Sequence, residues 1–311
     1  MSNFAIICDV TCDLSEELQK KYNILVIDGH YKTPDGQEHI GRCHWDSEEE
    51  AVAFYTDLKK NPKGYTTAPS SPDEIAAFFE KCIDEGTPEL LCITLSSALS
   101  GTHNFFKAAQ QLVLEKHPEA KINVINSSRY STAFGAIAVK ASLLRNEGKT
   151  FDETSAWVES NKNCYHQMGW MDDLSFLAKK GRINNFKAFM GQLVGVKPMG
   201  DINQNGLTTV IGKTKGAKKA YAASLAYIEK TIIDPEHQIV FIAQTNRRKY
   251  AEEFKKLIEE KFHPAEIIIT NVYRIDGINV GPGLMAAYYY GKPISENLSE
   301  ETAIMNSILE R

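Results

Sequence analysis

The chain has 311 residues, of which 43% are hydrophobic, so it is long enough for two ordinary domains and can bury a sizeable core. Its formal net charge of −5 leaves no basic footprint for nucleic acid, and no stretch approaches the roughly 20 apolar residues of a transmembrane segment. The first residues do not form a secretory signal, and the six cysteines lack the spacing of a disulfide framework. We therefore expect a cytoplasmic protein.

The first half of the chain alternates short apolar runs with amphipathic stretches, which predicts a parallel sheet with flanking helices. The predicted strands are 4–8, 24–27, 90–95 and 123–125, and the predicted helices are 15–21, 47–59, 72–84, 131–145 and 151–161. A further helical stretch follows residue 102. The turn residues within 31–38 predict a turn or a hairpin, and two prolines predict an ordered, extended loop over 65–72.

The second half mixes a hairpin with βα units, which predicts a mixed sheet. The predicted strands are 165–169, 195–199, 208–213, 239–243 and 266–270, and the predicted helices are 173–179, 184–190, 216–230, 247–261 and 299–311. A glycine-rich loop is predicted over 273–283. We expect an α/β protein with an N-terminal α/β domain over 1–162 and a C-terminal α/β domain over 163–311.

The segment 90–102 is the first feature that indicates chemistry. An apolar run turns polar at Ser96 and Ser97 and enters a helical stretch just after Ser100 and Gly101. Open α/β sheets bind ligands where strand ends meet helix starts, and free N–H groups beside hydroxyls suit an anionic oxygen. A simple helix cap by Ser100 would explain the same residues, so the functional interpretation needs convergence with other loops.

Hydroxyl-rich or glycine-rich loops follow several predicted strands, at 9–13, 66–70, 96–101, 126–128 and 279–283. Each of them alone is more often a turn or a cap than a site. Together they would place many neutral hydrogen-bond donors on one edge of the protein. Neutral hydroxyls can hold a carboxylate less tightly than arginine does.

Five motifs occur in order over nearly the whole chain: Cys8 to Leu14, Thr66 to Ser70, Ser96 to Thr102, Asp172 to Ile183, and Gly281 to Gly283. In this order they resemble the motifs of the DegV family of bacterial fatty-acid-binding proteins. The resemblance implies a two-domain DegV fold that binds a long-chain fatty acid and needs no cofactor and no metal. It also implies that the protein is not itself an enzyme.

The resemblance assigns roles to individual residues. It implies that Thr66 and Ser97 hold the carboxylate, with Asn279 at the position of a family histidine. The supporting loop residues would be Thr67, Ser96, Ser100, Gly101 and Gly281. Candidates for an apolar tunnel around the tail are Phe176, Leu177, Phe186, Phe189, Met190 and Leu193.

In related systems, such proteins present the fatty acid to a separate ATP-dependent fatty acid kinase subunit, which forms an acyl phosphate for phospholipid synthesis. Arg182 matches a family arginine implicated in docking that kinase, and a second basic position falls near Lys213. Because a carboxylate is ionised at neutral pH, its phosphorylation needs no general base on this chain.

Two departures from the family pattern bear on this function. Asn279 cannot become cationic as a histidine can, and Ala68 replaces a glutamine of the loop. Two alternatives therefore stay open. One is an acyl-processing enzyme with Ser97 as its nucleophile, for which His103 is the nearest histidine. The other is a diverged module that binds a small regulatory ligand.

Overall fold

A computed structural model describes residues 4–184 and 195–310. Within these residues the strands are β1 (Ala5–Asp9), β2 (Leu25–Ile27), β3 (Gly29–Lys32), β4 (Glu38–Gly41), β5 (Thr66–Pro69), β6 (Glu89–Thr94), β7 (Lys121–Asn126), β8 (Tyr165–Met171), β9 (Ile183–Asn184), β10 (Val196–Ile202), β11 (Thr208–Lys215), β12 (Ile239–Gln244), β13 (Glu266–Asn271) and β14 (Leu284–Tyr290).

The helices in the same part of the chain are α1 (Glu16–Tyr22), α2 (Glu48–Lys60), α3 (Pro72–Asp84), α4 (Thr102–Lys116), α5 (Thr132–Asn146), α6 (Phe151–Asn161), α7 (Ser175–Lys179), α8 (Ala217–Thr231), α9 (Arg248–Phe262), α10 (Arg274–Val280) and α11 (Ser299–Leu309). Several of them begin as their sequences predict. Helix α3, for example, begins at residue 72 as predicted, and there Ser71 forms a capping box with Glu74.

The first half contains a parallel sheet in the order β2-β1-β6-β7. Residues 5–8 of β1 pair with residues 90–93 of β6, and both strands are buried, as their apolar runs predict. A small antiparallel sheet, β4-β3-β5, lies beside it. Of the turn and the hairpin predicted over 31–38, the hairpin is confirmed, because β3 pairs with β4.

The second half contains a mixed sheet in the order β13-β12-β14-β8, in which β12 and β13 are parallel and the other pairs antiparallel. A further sheet, β10-β11-β9, contains the hairpin predicted for the second half, in which β10 and β11 pair antiparallel. Buried His166 and Asp201 join the two sheets through a 2.6 Å contact between Nδ1 and Oδ2. This architecture confirms the predicted combination of a parallel and a mixed sheet.

Helix α5 lies between the two main sheets and packs against strands of both, including β1 and β12. Its buried face includes Phe134 and Ile137, which belong to one apolar core with residues of both halves. The central helix thereby ties the carboxyl end of the parallel sheet to the mixed sheet. The predicted domain boundary after residue 162 stays a prediction.

Two predicted loops are wrong. Residues 274–280 of the predicted glycine-rich loop form α10, in which Ile278 packs against Tyr55, and Gly277 leaves room for the Tyr55 hydroxyl. Tertiary packing here overrides the low helix propensity of glycine. Residues 66–69 form β5 rather than an extended loop, because they pair with β3. The helix predicted over 184–190 lies almost entirely outside the described residues.

Candidate functional site

A cavity of about 240 Å³ lies at the carboxyl ends of β1 and β6, where the sequence places its hydroxyl-rich loops. Elements from both halves line it, including β5, α10 and the ends of β8 and β14. The carboxyl edge of a parallel sheet is the usual ligand position in open α/β folds. The structure therefore brings several of the predicted loops to one site.

The interior of the cavity has an apolar part. Buried apolar side chains from both halves, including some from α10, line it: Val10, Leu95, Leu99, Phe106, Met171, Leu177, Ile275, Val280 and Leu284. Such a surface can take up a hydrocarbon chain through the hydrophobic effect, at about 0.8 kcal/mol for each buried CH₂ group.

We call the lining residues that also reach solvent the rim. They are Asp28, Thr67, Ala68, Pro69, Ser100, Gly101, Arg182 and Asn279. The rim carries two hydroxyl groups, an amide, a carboxylate and one guanidinium. An anionic head group at the rim would therefore find hydroxyl donors and a cation within one opening, while the Asp28 carboxylate there accepts a hydrogen bond from Arg42.

Thr67 and Asn279 form the part of the rim with the best-defined geometry. Nδ2 of Asn279 donates to Oγ1 of Thr67 at 3.2 Å and to the carbonyl oxygen of Ile275 at 2.9 Å. Both amide hydrogens of Asn279 are thereby used within the protein. Because Thr67 Oγ1 accepts the bond from Asn279, its own hydroxyl hydrogen remains available for a ligand.

The serine loop places only some of its residues at the cavity. Ser100 lies on the rim, and its Oγ is 2.9 Å from Oγ1 of Thr102. Ser96 is buried beneath the loop, where its backbone N–H donates to the carbonyl oxygen of Arg129. Gly101 lies on the rim just before α4.

The two residues that the resemblance assigns to the carboxylate, Thr66 and Ser97, do not line the cavity. Both are exposed, and Oγ of Ser97 accepts a 2.8 Å hydrogen bond from Nδ2 of Asn126. Thr66 is the exposed first residue of β5, and the three residues that follow it, Thr67, Ala68 and Pro69, line the cavity. The roles of Thr66 and Ser97 stay predictions, whereas the geometry favours Thr67 and Ser100.

Two buried carboxyl groups in the cavity were not predicted as site residues. Asp9 accepts hydrogen bonds from the backbone N–H groups of Thr11 and Leu95, and burial raises its pKa to about 6 despite those bonds. Burial also raises the pKa of Asp276 to about 8, although a contact with Asp13 opposes the shift. Asp9 belongs to a motif quoted above, but only the fold reveals Asp276, because its neighbours in sequence resemble an ordinary loop.

The residues proposed for partner docking are far apart. Arg182 lies on the cavity rim and is partly exposed, and its guanidinium donates to the carbonyl oxygen of Lys180. Lys213 is exposed on β11, five residues beyond Thr208, which pairs with Ile183 next to Arg182. Arg182 precedes Ile183 on the parallel neighbour, so six residue spacings of about 3.3 Å and one inter-strand spacing place the two backbone positions roughly 20 Å apart. Their role in docking stays a prediction.

The residues proposed for the tail tunnel divide into three groups. Leu177 lines the cavity, whereas Phe176 packs with Tyr55 and Ile278 in a separate small core. Gly281 supports that core, because a Cβ atom there would lie 2.4 Å from the Phe176 ring. The remaining four candidates, Phe186, Phe189, Met190 and Leu193, lie outside the described residues.

The geometry of the serine loop bears on the enzymatic alternative. Nδ1 of His103 is 3.0 Å from Oγ1 of Thr94, and burial lowers the pKa of the imidazole. Ser97 is instead hydrogen-bonded to Asn126. The described residues thus do not pair Ser97 with His103 as nucleophile and base.

Neither a metal-binding cluster nor a membrane-spanning helix occurs within the described residues. Within residues 4–184 and 195–310, no three His, Cys, Asp or Glu side chains are grouped so that they could hold a metal ion. Across those ranges, no helix has both the length and the apolar character to cross a membrane.

The fold has close counterparts among solved structures. A DegV family protein from Thermus thermophilus, described with fatty acid binding, superposes with a TM-score of 0.82 at 20% identity, covering 93% of this chain and 99% of that one. The Fatty Acid Kinase (Fak) B3 protein of Streptococcus pneumoniae, loaded with linoleic acid, gives a TM-score of 0.78 at 21% identity, with 93% and 99% covered. At these identities the likeness establishes the fold.

Sequence comparison establishes the family. A DegV domain-containing protein of Clostridium perfringens is 32% identical over 291 residues, which are 94% of this chain and 98% of that protein. A family model described as the DegV family of uncharacterised proteins matches residues 3–292. The chain therefore belongs to the DegV family.

Proposed function

We propose that this protein binds a long-chain fatty acid, with its tail in the apolar part of the cavity and its carboxylate at the rim. The observation that carries the proposal is the cavity itself, which joins a buried apolar surface to hydroxyl groups at its opening. The two solved DegV relatives named above, one described with fatty acid binding and one loaded with linoleic acid, support it.

The two parts of the site would contribute differently to binding. About a dozen buried methylene groups would supply roughly 10 kcal/mol before the costs of association, so the tail provides the affinity. The hydroxyls of Thr67 and Ser100 would orient the head group, and Asn279 would position Thr67 through its amide. Arg182 adds a positive charge at the same rim.

The carboxylate would then be presented to a separate fatty acid kinase subunit that brings ATP and metal. Phosphorylation of an ionised carboxylate requires positioning and stabilisation of charge rather than a base on this chain. The likeness to the Fak B3 protein supports this second step.

Mass spectrometry tests the binding step. Protein purified under native conditions and extracted with organic solvent should release a long-chain acid, and the emptied protein should bind hexadecanoate more tightly than its methyl ester. Absence of any acyl chain, together with equal affinity for acid and ester, would contradict the proposal.

A pair of tryptophan variants tests the position of the tail. Leu177→Trp fills the cavity and should abolish binding, whereas Leu112→Trp on the exposed surface of α4 should leave it unchanged. Circular dichroism would show that both variants are folded. Equal binding by both variants would place the tail elsewhere.

The kinase step has its own readout. Incubation of the loaded protein with ATP and the ATP-binding kinase subunit should yield an acyl phosphate, which hydroxylamine traps as a hydroxamate. Failure of this reaction with intact lipid binding would leave a fatty-acid-binding protein and remove the kinase role.

A second candidate function is a module for a small polar ligand. It is favoured by two buried polar atoms in the cavity lining, Oε1 of Gln167 and Oδ2 of Asp276, which have no hydrogen-bond partner among the described residues. The same extraction distinguishes the two, because it would then release a small polar compound instead of an acyl chain.

A further inference from the structure

The lining of the cavity contains a polar patch that a plain hydrocarbon chain does not match. Gln167 on β8 is 6% exposed and Asp276 on α10 is 7% exposed, and both line the cavity. Oε1 of Gln167 and Oδ2 of Asp276 have no hydrogen-bond partner among the described residues. Buried polar atoms in proteins are nearly always hydrogen-bonded, so these two indicate a missing partner.

The surroundings of Gln167 hold it in place. Its backbone N–H donates to Oδ1 of Asp201 at 2.8 Å, which fixes this position of β8. Tyr130 also lines the cavity, and its hydroxyl oxygen accepts a 2.6 Å hydrogen bond from Oγ1 of Thr208. The polar patch, defined as Tyr130, Gln167 and Asp276, therefore belongs to a built part of the site rather than to a loose surface loop.

Asp276 can act as a hydrogen-bond donor in this setting. Burial, together with the negative charge of Asp9, outweighs the hydrogen bond with Asp13 and raises the pKa of Asp276 to about 8, so that its neutral carboxyl form predominates at pH 7. A neutral carboxyl group carries one O–H donor, whereas Oε1 of Gln167 only accepts. The two residues thus offer both kinds of hydrogen bond to a ligand.

A hydroxyl group is the chemical group that fits such a patch, because one hydroxyl both donates and accepts. A methylene group can neither donate nor accept. If it occupied this position, it would also exclude the water that could otherwise bond to the two unpartnered oxygens. Each hydrogen bond left unmade in this way weakens binding by about tenfold.

We propose that the acyl chain bound by this protein carries a hydroxyl group along its length, which is hydrogen-bonded by Gln167 and Asp276. This inference rests on the proposed fatty-acid-binding function and specifies its ligand class. The apolar side chains of the same cavity, such as Leu99 and Met171, would hold the hydrocarbon on either side of the hydroxyl.

A binding series with synthetic acids tests the inference. The dissociation constants of hexadecanoic acid and of its monohydroxy isomers, substituted along the chain from carbon 2 to carbon 16, would be measured on lipid-free protein at pH 7. We expect at least one isomer to bind about tenfold more tightly than hexadecanoic acid.

Two variants connect that preference to the patch. Gln167→Met and Asp276→Leu keep the approximate size of each side chain and remove its hydrogen bonds, so they should abolish the preference while hexadecanoic acid still binds. Gln111→Met, an exposed change on α4, should preserve it.

The outcomes separate this inference from the proposed function. If hexadecanoic acid binds at least as tightly as every hydroxy isomer, water satisfies the patch and the inference is wrong, whereas fatty acid binding stands. If the protein binds none of the acids, the proposed function fails and the inference fails with it.

Discussion

Nδ2 of Asn279 donates a hydrogen bond to Oγ1 of Thr67 over 3.2 Å, and this bond joins α10 to β5 at the rim of the cavity. The two residues are 212 positions apart in the chain. In this bond the hydroxyl oxygen of Thr67 is the acceptor, so its hydroxyl hydrogen remains available to a ligand. In the proposed function, Asn279 would therefore act on the carboxylate through Thr67.

Thr67→Val tests this arrangement, because valine keeps the shape of threonine and lacks its hydroxyl. We expect the affinity for hexadecanoate to fall by about tenfold, the effect of one hydrogen bond to a charged group. Fluorescence displacement would measure it. Thr66→Val, at the exposed neighbour outside the cavity lining, should have little effect. A larger loss in Thr66→Val would support the role that the family resemblance assigns to Thr66.

A second pair of variants concerns the serine loop. Ser100 lies on the rim, whereas Ser97 is exposed and bonded to Asn126. Ser100→Ala should therefore weaken carboxylate binding more than Ser97→Ala, by several-fold in dissociation constant. Isothermal titration with hexadecanoate measures both. A larger loss of affinity in Ser97→Ala than in Ser100→Ala would indicate that Ser97 holds the carboxylate.

Gly281 determines how closely the end of α10 approaches α7. Its φ is +77°, and a Cβ atom there would lie 2.4 Å from the ring of Phe176. Gly216 has nearly the same φ, +82°, with no atom within 4 Å of its Cβ position. Gly281→Ala should therefore lower the free energy of unfolding by about 1–3 kcal/mol more than Gly216→Ala, since only the first adds overpacking to backbone strain.

Urea unfolding of the two variants would measure that difference. Similar losses in both would mean that α7 moves aside at little cost. In that case the contact between Gly281 and Phe176 would not fix the wall of the cavity that carries Leu177.

Asp276 should make stability depend on pH. Its pKa in the folded protein, raised by burial to about 8, is well above the ordinary value of an aspartate in an unfolded chain. Between these values the folded state holds a proton that the unfolded state has lost, so stability falls as pH rises. Integration gives a loss of about 2 kcal/mol between pH 6 and pH 8 from this one group.

Urea unfolding of lipid-free protein at the two pH values would measure this loss. Asp276→Asn cannot ionise and should remove about that much of the pH dependence. Asp84→Asn, at an exposed position near the end of α3, should leave the pH dependence unchanged. If the free energy of unfolding of Asp276→Asn falls between pH 6 and pH 8 as much as that of the unsubstituted protein, Asp276 does not titrate in this range.

The sequence by itself determined the alternation of strands and helices and the positions of the hydroxyl-rich loops. Apolar runs such as 90–95 and capping residues such as Ser71 act over a few neighbours, so their effect can be predicted locally. The order of the motifs was sufficient to predict the DegV family. These features are local, and tertiary packing changed them only where residues 66–69 pair with β3 as a strand and residues 274–280 form α10.

Only the tertiary structure decided which residues face the cavity. Thr67, Ala68 and Pro69 lie there and Thr66 does not, and the pairing of β5 with β3 that holds this segment at the site is encoded by no local pattern. The helix α10 forms against Tyr55 despite its glycine, and it carries Asp276 and Asn279 to the site from the far end of the chain. Contacts between residues distant in sequence determine burial and side-chain direction, and these two properties select the residues that can meet a ligand.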